Sequence, residues 1–254
     1  MSADRRLVMA ALALLAVNAA LAWRRFGRLP ALKPVRYVAC RFRRSTVAMA
    51  RRRHSVAERL ARYGAAARDR LRPHFERAAV AYPPDRVVLV GLKQERALEV
   101  WCGDAPGRLA RVRTYPILGA SGTLGPKLKQ GDRQVPEGLY RIESLNPNSR
   151  YHLSLRVNYP NAFDRRMGAA DGRRRLGGDI MIHGGRGSIG CLAMGDEASE
   201  ELFVLAAESG TGNIRVILSP VDFRVRALPD DRAAVPAWTA GLYARIRRAL
   251  GGLR

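Results

Sequence analysis

Cysteine is scarce in this chain. Three cysteines, Cys40, Cys102 and Cys191, occur in 254 residues, and no two of them form a Cys-x-x-Cys pair. Redox pairs and zinc knuckles use that spacing, so the sequence indicates neither. An odd number of cysteines leaves at least one thiol free in an exported chain. Cys102 shares a strand face with Leu98 and Val100, which predicts packing rather than reactivity.

Acidic residues are also few. The chain has 22 Asp and Glu against 45 Lys and Arg, a formal net charge of +23, and residues 24–80 alone hold 17 Lys/Arg and three Asp/Glu. Such a segment predicts binding to anionic lipids of the inner membrane or to an anionic wall polymer. Because nearly all of these residues are arginine, genomic codon bias is the alternative explanation. Zinc-finger spacing and RNP-like strings are absent, so we expect no nucleic acid partner.

One long hydrophobic run is present, at residues 7–23, and it follows Arg5 and Arg6. This arrangement is typical of a signal peptide, with residues 20–22 as a cleavage pattern, or of an uncleaved membrane anchor. We favour the anchor, because no polar stretch precedes the cleavage pattern; a buried core helix is the third alternative. The basic residues just after the run outnumber those before it. By the positive-inside rule, this imbalance favours a cytoplasmic main domain.

Composition divides the chain into four regions. These are a signal peptide or anchor (1–23), a basic, helical juxtamembrane segment (24–84), a strand-rich domain (85–225) and a C-terminal amphipathic helix (226–254). Many strands with few helices predict an α+β, β-rich fold. We expect a core that is a mixed β-sheet or sandwich with peripheral helices, preceded by the apolar helix and the basic helical segment.

Local patterns predict several strands and one turn. Residues 87–90 and 97–101 are apolar runs separated by a turn, which predicts a hairpin. Residues 151–158 alternate strictly between apolar and polar side chains, which predicts a strand with one buried face. Residues 146–148, Asn-Pro-Asn, are typical of a turn between two strands.

Helix boundaries are predicted from prolines and capping residues. Pro73 is expected to interrupt the basic helix, because proline removes a backbone donor and clashes with the preceding turn. Asp196 is expected to N-cap a helix that runs to about Ser209 and stops at Gly210.

The most informative stretch is residues 180–194, where a hydrophobic strand runs into His183 and a glycine-rich turn leads to Ser188, Gly190 and Cys191. A thiol nucleophile needs a base and donors for a developing oxyanion. We therefore predict Cys191 as nucleophile and His183 as base, with an ion pair between them that lowers the thiol pKa. The backbone N–H groups of Gly190 and Cys191 are the predicted oxyanion donors. A packed thiol beside an incidental histidine is the structural alternative.

Two other kinds of site fit this loop poorly. A metal site needs three or four ligands, and the loop offers only two candidates. A phosphate-binding loop ends in Gly-Lys-Ser/Thr and leads directly into a helix, and residues 184–188 do neither. We therefore expect no metal and no cofactor.

His183-Gly184 followed by Ser188-x-Gly190-Cys191 resembles the active-site signature of the YkuD-type L,D-transpeptidase catalytic domain family, in particular its YafK-like branch. The resemblance covers about residues 80–225. Most members have a histidine directly before the Gly-Cys pair, where this chain has Ile189. The supporting strings are Gly91-Leu92-Lys93-Gln94-Glu95-Arg96, Gly131-Asp132-x-x-Val135-Pro136-Glu137-Gly138-x-Tyr140, Tyr151-His152-Leu153-Ser154-Leu155 and Asn158-Tyr159-Pro160-Asn161.

The resemblance implies a cysteine acyltransferase that acts on peptidoglycan stem peptides, in cell wall biogenesis and cell shape. It implies that Cys191 attacks the carbonyl between the third residue, a diamino acid, and the terminal D-residue, so that D-alanine leaves. The acceptor would be an amine of another stem, a lipoprotein lysine or a free D-amino acid. Water as the acceptor would give an L,D-endopeptidase that releases a wall-linked lipoprotein or trims stems. A non-catalytic wall-binding module is a further alternative.

This function requires an extracytoplasmic domain, which conflicts with the positive-inside count. We follow the function and expect the domain in the periplasm or on the cell wall face, anchored in the cytoplasmic membrane by residues 7–23.

The resemblance also implies that the backbone carbonyl of Gly184 orients the His183 imidazole. Asp179 is a second candidate for that role, because it precedes His183 by four residues on the incoming strand and points to the same face.

Four further residues are candidate substrate contacts. Arg186 is a candidate to bind a stem-peptide carboxylate, with a solvated loop arginine as the alternative. Ser188 is a candidate contact for substrate, or for the loop itself. His152 and Tyr159 are candidate cleft-lining residues, with solvent exposure and core packing as their respective alternatives.

Overall fold

The computed structural model of the protein describes residues 53–104, 108–229 and 234–253. The apolar run at residues 7–23, the first part of the basic segment and Cys40 lie outside the described residues. None of the helices within the described ranges has the length and apolarity needed to cross a bilayer.

The described residues form four α-helices, eight β-strands and one 3₁₀ turn. The helices are α1 (Val56–Ala78), α2 (Ala162–Ala170), α3 (Asp196–Ser209) and α4 (Thr239–Gly251), and the 3₁₀ turn is Thr211–Asn213. The strands are β1 (Arg86–Leu92), β2 (Ala97–Gly103), β3 (Ala110–Pro116), β4 (Gly138–Ser149), β5 (His152–Val157), β6 (Met181–His183), β7 (Leu192–Ala193) and β8 (Ile214–Ser219).

The strands form one mixed sheet in the order β3-β2-β1-β8-β4-β5-β6-β7. β1 is parallel to β8 and β6 is parallel to β7, whereas the remaining neighbours are antiparallel. The predicted mixed, β-rich core with peripheral helices is confirmed, as a single sheet rather than a two-sheet sandwich. The predicted β1–β2 hairpin is present, with Leu92 paired with Ala97 next to the turn.

Both faces of the central strands are buried. Val87 and Leu89 of β1 belong to an apolar cluster that includes side chains of α1 and α3. Val88 and Val90 belong to a second cluster on the opposite face, which includes side chains of α4. Cys102 is fully buried in the first cluster, with the packing role that its strand position predicted. The sheet is therefore a central layer with helices on both sides.

Helix α1 begins at a capping box, in which Ser55 accepts from the backbone of Glu58 and the Glu58 carboxylate accepts from the backbone of Ser55. The prediction that Pro73 interrupts this helix was wrong, since Pro73 lies inside it. The buried stripe passes straight across the proline, with Leu71 and Phe75 on either side of it. Packing of that stripe outweighs the lost backbone hydrogen bond, because tertiary contacts supply most of the stability of a helix in a protein.

Ion pairs fix α1 onto α3. Arg70 contacts the carboxylates of Glu200 at 2.8 Å and Glu201 at 2.7 Å, and Arg68 contacts Glu208 at 2.7 Å. Part of the basic charge that the sequence displays is thus neutralised within the fold. The described end of the basic segment packs as part of the strand-rich domain.

The turn predicted at residues 146–148 was also wrong. β4 continues through these residues, and the chain turns instead at residues 150–151. The pairing with β5 shifts register between Asn146 and Ser149, and this irregularity accommodates Pro147, which has no N–H to donate to the neighbouring strand. Contacts from the N-terminal side fix this end of the hairpin: Arg59 donates to the Pro147 carbonyl at 2.8 Å, and the His54 backbone N–H donates to Asn148 at 2.7 Å.

Two helix starts differ from expectation. α2 was not predicted, although Asn161 and Asp164 form a complete capping box at its first turn. α3 ends as predicted, but Gly195 is its N-cap and Asp196 is its first residue. The Asp196 carboxylate instead accepts from the backbone N–H of Gly185 at 2.8 Å, and so ties the start of the helix to the loop after β6.

A buried ion pair joins two of the strings that the sequence analysis singled out. Lys93 Nζ lies 2.8 Å from Glu137 Oε1, and the two side chains are 8% and 0% exposed. Lys93 also donates to the carbonyls of Gly125 and Val135, and Glu137 accepts from the Tyr243 hydroxyl at 2.7 Å. The turn after β1, the loop before β4 and helix α4 therefore meet at one charged centre.

We expect Lys93→Met to lower the free energy of unfolding by about 3–5 kcal/mol, because it leaves the Glu137 carboxylate buried without its cation. Urea denaturation of the full chain measures this loss. The matched control is Arg72→Met, which breaks an ion pair whose side chains are 65% and 66% exposed. The control should stay within about 1 kcal/mol of the parent. Equal losses in the two variants would contradict the role assigned to the buried pair.

Candidate active site

The imidazole and the thiol lie at two parallel strands that are neighbours in the sheet: His183 ends β6, and Cys191 immediately precedes β7. Ile182 of β6 pairs with Leu192 of β7, and His183 pairs with Ala193. One step back in this register, the Met181 backbone N–H donates to Cys191 Sγ at 3.4 Å. Cys191 Sγ therefore meets the backbone of β6 two residues before His183.

The His183 imidazole is held in one tautomer by its own backbone. Its Nδ1 lies 2.6 Å from the Gly184 carbonyl oxygen, which can only accept, so Nδ1 carries the proton. The Nε2 lone pair is then available to take a proton. The Tyr151 ring stacks on the imidazole at a centroid distance of 4.6 Å and an interplanar angle of 30°. His183 is 2% exposed, so its ring has little freedom to reorient.

The resting thiol and imidazole are both neutral by their surroundings. Burial raises the pKa of the Cys191 thiol, and the Met181 N–H opposes that shift. Burial lowers the pKa of His183, and the hydrogen bond to Gly184 opposes that shift. Among the described residues, the thiol hydrogen-bonds to backbone groups of Met181 and Asp179 and not to the imidazole. The predicted ion pair, which would lower the thiol pKa, is thus not formed in this state.

Ser188 occupies the two backbone donors that were predicted to bind an oxyanion. Its Oγ accepts from the N–H of Gly190 at 3.2 Å and from the N–H of Cys191 at 3.0 Å, and it donates to the Cys191 carbonyl at 2.6 Å. The hydroxyl thus fixes the bend that presents the thiol. An oxyanion at these N–H groups has to share them with Ser188 or displace its hydroxyl.

A second loop, residues 119–134, lies against residues 184–191, which we call the nucleophile loop. Gly119 exchanges backbone hydrogen bonds with Ala193, and a side chain at Gly119 would overlap the Arg186 carbonyl. Gly190 has a φ of +127°, which favours glycine, and its free face lies against the backbone of Gln134. The 119–134 loop therefore forms one wall beside the thiol.

The Asp132 carboxylate holds the 119–134 loop together by hydrogen bonds to residues of the same loop. It accepts from the Lys127 ammonium and from the backbone N–H groups of Leu128, Lys129 and Gln134. The positive charge of Lys127 in turn acts to lower the Cys191 pKa, against the larger effect of burial.

Three of the predicted substrate-contact residues lie in separate parts of the structure. Arg186 is exposed on the nucleophile loop. The His152 ring turns away towards α1 and α3, where it contacts Glu200 at 2.9 Å and the edge of the Tyr63 ring. Tyr159 is buried, and its hydroxyl donates to the Leu176 carbonyl at 3.2 Å. Arg186 thus shares a loop with the thiol, whereas the side chains of His152 and Tyr159 contact other parts of the fold.

Asp179 does not orient the imidazole. Its carboxylate pairs with Arg156 at 2.7 Å, while its backbone carbonyl lies 3.5 Å from Cys191 Sγ. The alternation argument failed here because Asp179 adopts a positive φ of 55° and lies outside β6. No group of three or more His, Cys, Asp or Glu suited to a metal ion occurs in the part of the chain that the structure describes.

Two residues near the imidazole were not identified from the sequence. Tyr151, 49% exposed, was assigned to the apolar strand face, yet it lies in the turn and covers His183. Ser154 lies opposite His183 in the β5–β6 pairing, and its buried hydroxyl has no hydrogen-bond partner among the described residues. The register of β5 against β6 would have located Ser154, but the sequence does not specify that register.

A family model described as the L,D-transpeptidase catalytic domain, YkuD, matches residues 85–218. Two curated proteins, from Escherichia coli strain K12 and Escherichia coli O157:H7, bear the name "Putative L,D-transpeptidase YafK". Each is 38% identical to this chain over 113 residues, which is 44% of this chain and 43% of the relative. The match therefore spans less than half the length of these relatives.

Solved structures with similar folds include three bacterial proteins. The helical cell shape determining protein Pgp2 from Campylobacter jejuni has a TM-score of 0.45 at 22% identity, over 54% of this chain and 48% of that one. Bd1075 from Bdellovibrio bacteriovorus has a TM-score of 0.40 at 20% identity, covering 67% and 56%. Mycobacterium tuberculosis L,D-transpeptidase 1 has a TM-score of 0.31 at 16% identity, covering 53% and 62%.

We expect the rate of Cys191 alkylation by iodoacetamide to keep rising with pH through the ordinary thiol pKa of 9.0, because burial raises the pKa of this thiol. Mass spectrometry of the modified peptide across a pH series measures the rate. Cys102 is the internal control: its pKa is raised to about 12 by burial, so it should stay unmodified in the folded protein. A Cys191 rate that is already constant at neutral pH would show a preformed ion pair and contradict the assignment.

Proposed function

This chain belongs to the YkuD family of L,D-transpeptidase catalytic domains, and we propose that it is a cysteine acyltransferase that acts on peptidoglycan stem peptides through an acyl-enzyme on Cys191. One observation supports this proposal above the others. Cys191 and His183 flank the loop between two paired strands, with Sγ beside the Met181 N–H, and the Gly184 carbonyl leaves the imidazole Nε2 free to accept a proton. A nucleophile and a base with a fixed tautomer are the minimum for acyl transfer by a thiol.

The first half-reaction forms a thioester. Cys191 Sγ gives its proton to His183 Nε2 and attacks the carbonyl carbon of the bond before the terminal D-residue. The carbonyl π electrons move to the oxygen, and a tetrahedral oxyanion results. When the intermediate collapses, the C–N bond breaks, the imidazolium returns its proton to the departing amine, and D-alanine leaves.

The oxyanion competes with Ser188 for the N–H groups of Gly190 and Cys191. A full negative charge is a stronger acceptor than a neutral hydroxyl, so exchange in favour of the oxyanion is downhill. Because the donors strengthen their bonds only when charge develops, this exchange contributes to the transition state more than to substrate binding.

A neutral resting pair matches this mechanism. The lowered pKa of His183 keeps the imidazole unprotonated and able to act as a base near neutral pH. The raised pKa of Cys191 keeps the thiol protonated, and therefore less open to oxidation, until substrate arrives. The thiolate then forms during attack rather than before it.

The second half-reaction resolves the thioester. An amine attacks the thioester carbon, His183 takes its proton, and Cys191 Sγ leaves and is reprotonated. The acceptor is an amine of another stem peptide, a lipoprotein lysine or a free D-amino acid. Water in the same position gives the alternative outcome, hydrolysis by an L,D-endopeptidase or related hydrolase: a stem is trimmed where D-alanine was the leaving group, and a wall-linked lipoprotein is released where its lysine amine was the leaving group.

We expect the full chain to release D-alanine from purified tetrapeptide muropeptides, and Cys191→Ala to release none. His183→Ala should slow the release by about 10²- to 10⁴-fold, the usual contribution of a general base. Chromatography and mass spectrometry of the products measure both effects. Cross-linked dimers indicate transfer to an amine, and shortened monomers indicate hydrolysis.

Cys102→Ala is the matched control, since that thiol lies in the core and should leave the release unchanged. A carbapenem adduct on Cys191 is an independent readout of the activated thiol. If Cys191→Ala releases D-alanine at the parent rate, the acyl-enzyme proposal fails and a non-catalytic wall-binding module becomes the better explanation.

The substrate dictates the location. Stem peptides of the wall lie outside the cytoplasm, so the proposal includes an extracytoplasmic domain anchored by residues 7–23. A fusion of alkaline phosphatase after residue 254 should be active in cells, because that reporter folds only where disulfides form. A silent phosphatase fusion with an active cytoplasmic reporter at the same position would overturn this location.

A further inference from the structure

A cleft of about 590 Å³ opens beside strands β4 and β5. Arginines make up most of its charged lining: Arg141, Arg156, Arg165 and Arg245 stand against a single carboxylate, Glu143. Arg141 and Glu143 alternate with buried Ile142 on β4, which puts both on the sheet face opposite the Ile142 side chain. We call this site the arginine cleft.

Most of the cationic charge in the arginine cleft is not neutralised by the protein. Arg156 pairs with Glu143 at 3.0 Å and with Asp179 at 2.7 Å. Arg245 instead lies over the Phe163 ring, 5.0 Å from its centroid. Arg165 donates to the Pro160 carbonyl. Among the described residues, Arg141 has no ion-pair partner.

Arg156 connects the arginine cleft to the nucleophile. It lies opposite Met181 in the β5–β6 pairing, and the Met181 N–H donates to Cys191 Sγ at 3.4 Å. Its ion-pair partner Asp179 places a backbone carbonyl 3.5 Å from the same sulfur. Through Arg156, the cleft thus adjoins the two residues, Met181 and Asp179, whose backbone groups contact the thiol.

We infer that the arginine cleft binds free carboxylates of the peptide presented to Cys191. Guanidinium groups bind carboxylates through paired, charge-assisted hydrogen bonds, and a peptide with several carboxylates matches a cleft with several unpaired arginines. Arg245 belongs to α4, which lies beyond the matched residues 85–218, so this wall is supplied from outside the matched domain. The inference rests on the proposed function for the identity of the peptide.

Binding to the full-length Cys191→Ala chain tests the cleft apart from turnover. The probes are a stem tetrapeptide with free carboxylates and the same peptide with those carboxylates amidated. The double variant Arg141→Gln/Arg245→Gln should raise the Kd of the acidic peptide about tenfold, a moderate loss because the guanidiniums are partly solvated. The amidated peptide should bind weakly to parent and variant alike.

Two controls keep the test specific. Arg248→Gln removes a charge from the same helix outside the cleft, and it should leave the Kd unchanged. Arg141→Lys/Arg245→Lys keeps the charge and should recover part of the affinity. Thermal unfolding confirms that each variant is folded.

Equal Kd values for the acidic and amidated peptides, or for the double Gln variant and the Arg248→Gln control, would overturn the inference that the arginine cleft binds carboxylates. D-alanine release by the parent chain would still stand in that case. Conversely, charge-dependent binding without any D-alanine release would leave the cleft in place and remove the proposed acyl transfer.

Discussion

The short parallel connection between β6 and β7 is the constraint from which the site follows. Parallel strands usually need a crossover of about a dozen residues or more, yet here only residues 184–191 separate the two strands. The chain can return so quickly because the strands have three and two residues and because Gly185 and Gly190 adopt positive φ angles. The return folds Ser188 back onto the N–H groups of the bend and sets the thiol beside Met181.

The strings that resemble the family outside the nucleophile loop serve mainly as scaffold. Lys93 and Glu137 form the buried pair that joins the turn after β1 to the loop before β4. Asp132 organises the loop that borders Gly190. Asn161 caps α2. Most of the motifs that resemble the family therefore hold the surrounding loops and helices in place, and only the motif from His183 to Cys191 contains the proposed reacting atoms.

The sequence predicted what local periodicity determines and failed where packing or burial decides. The β1–β2 hairpin and the end of α3 at Gly210 follow from short-range patterns. The helix through Pro73 depends on a buried stripe that local rules cannot weigh against the proline. The raised pKa of Cys191 follows from burial, which spacing does not show. That Cys191 and His183 flank one short connection could be seen in the sequence, whereas the cover by Tyr151 depends on strand register.

Helix α1 ends before residue 85, where the family match begins, yet it contacts the residue next to the ring that covers the base. Tyr63 of α1 meets the His152 ring, and the adjoining Tyr151 stacks on His183. The stretch that matches the family is therefore shorter than the stretch that packs around the base. A chain cut back to residues 85–218 would leave the His152 ring without Tyr63 beside it, so the turn that carries Tyr151 would need a different neighbour to stay equally rigid.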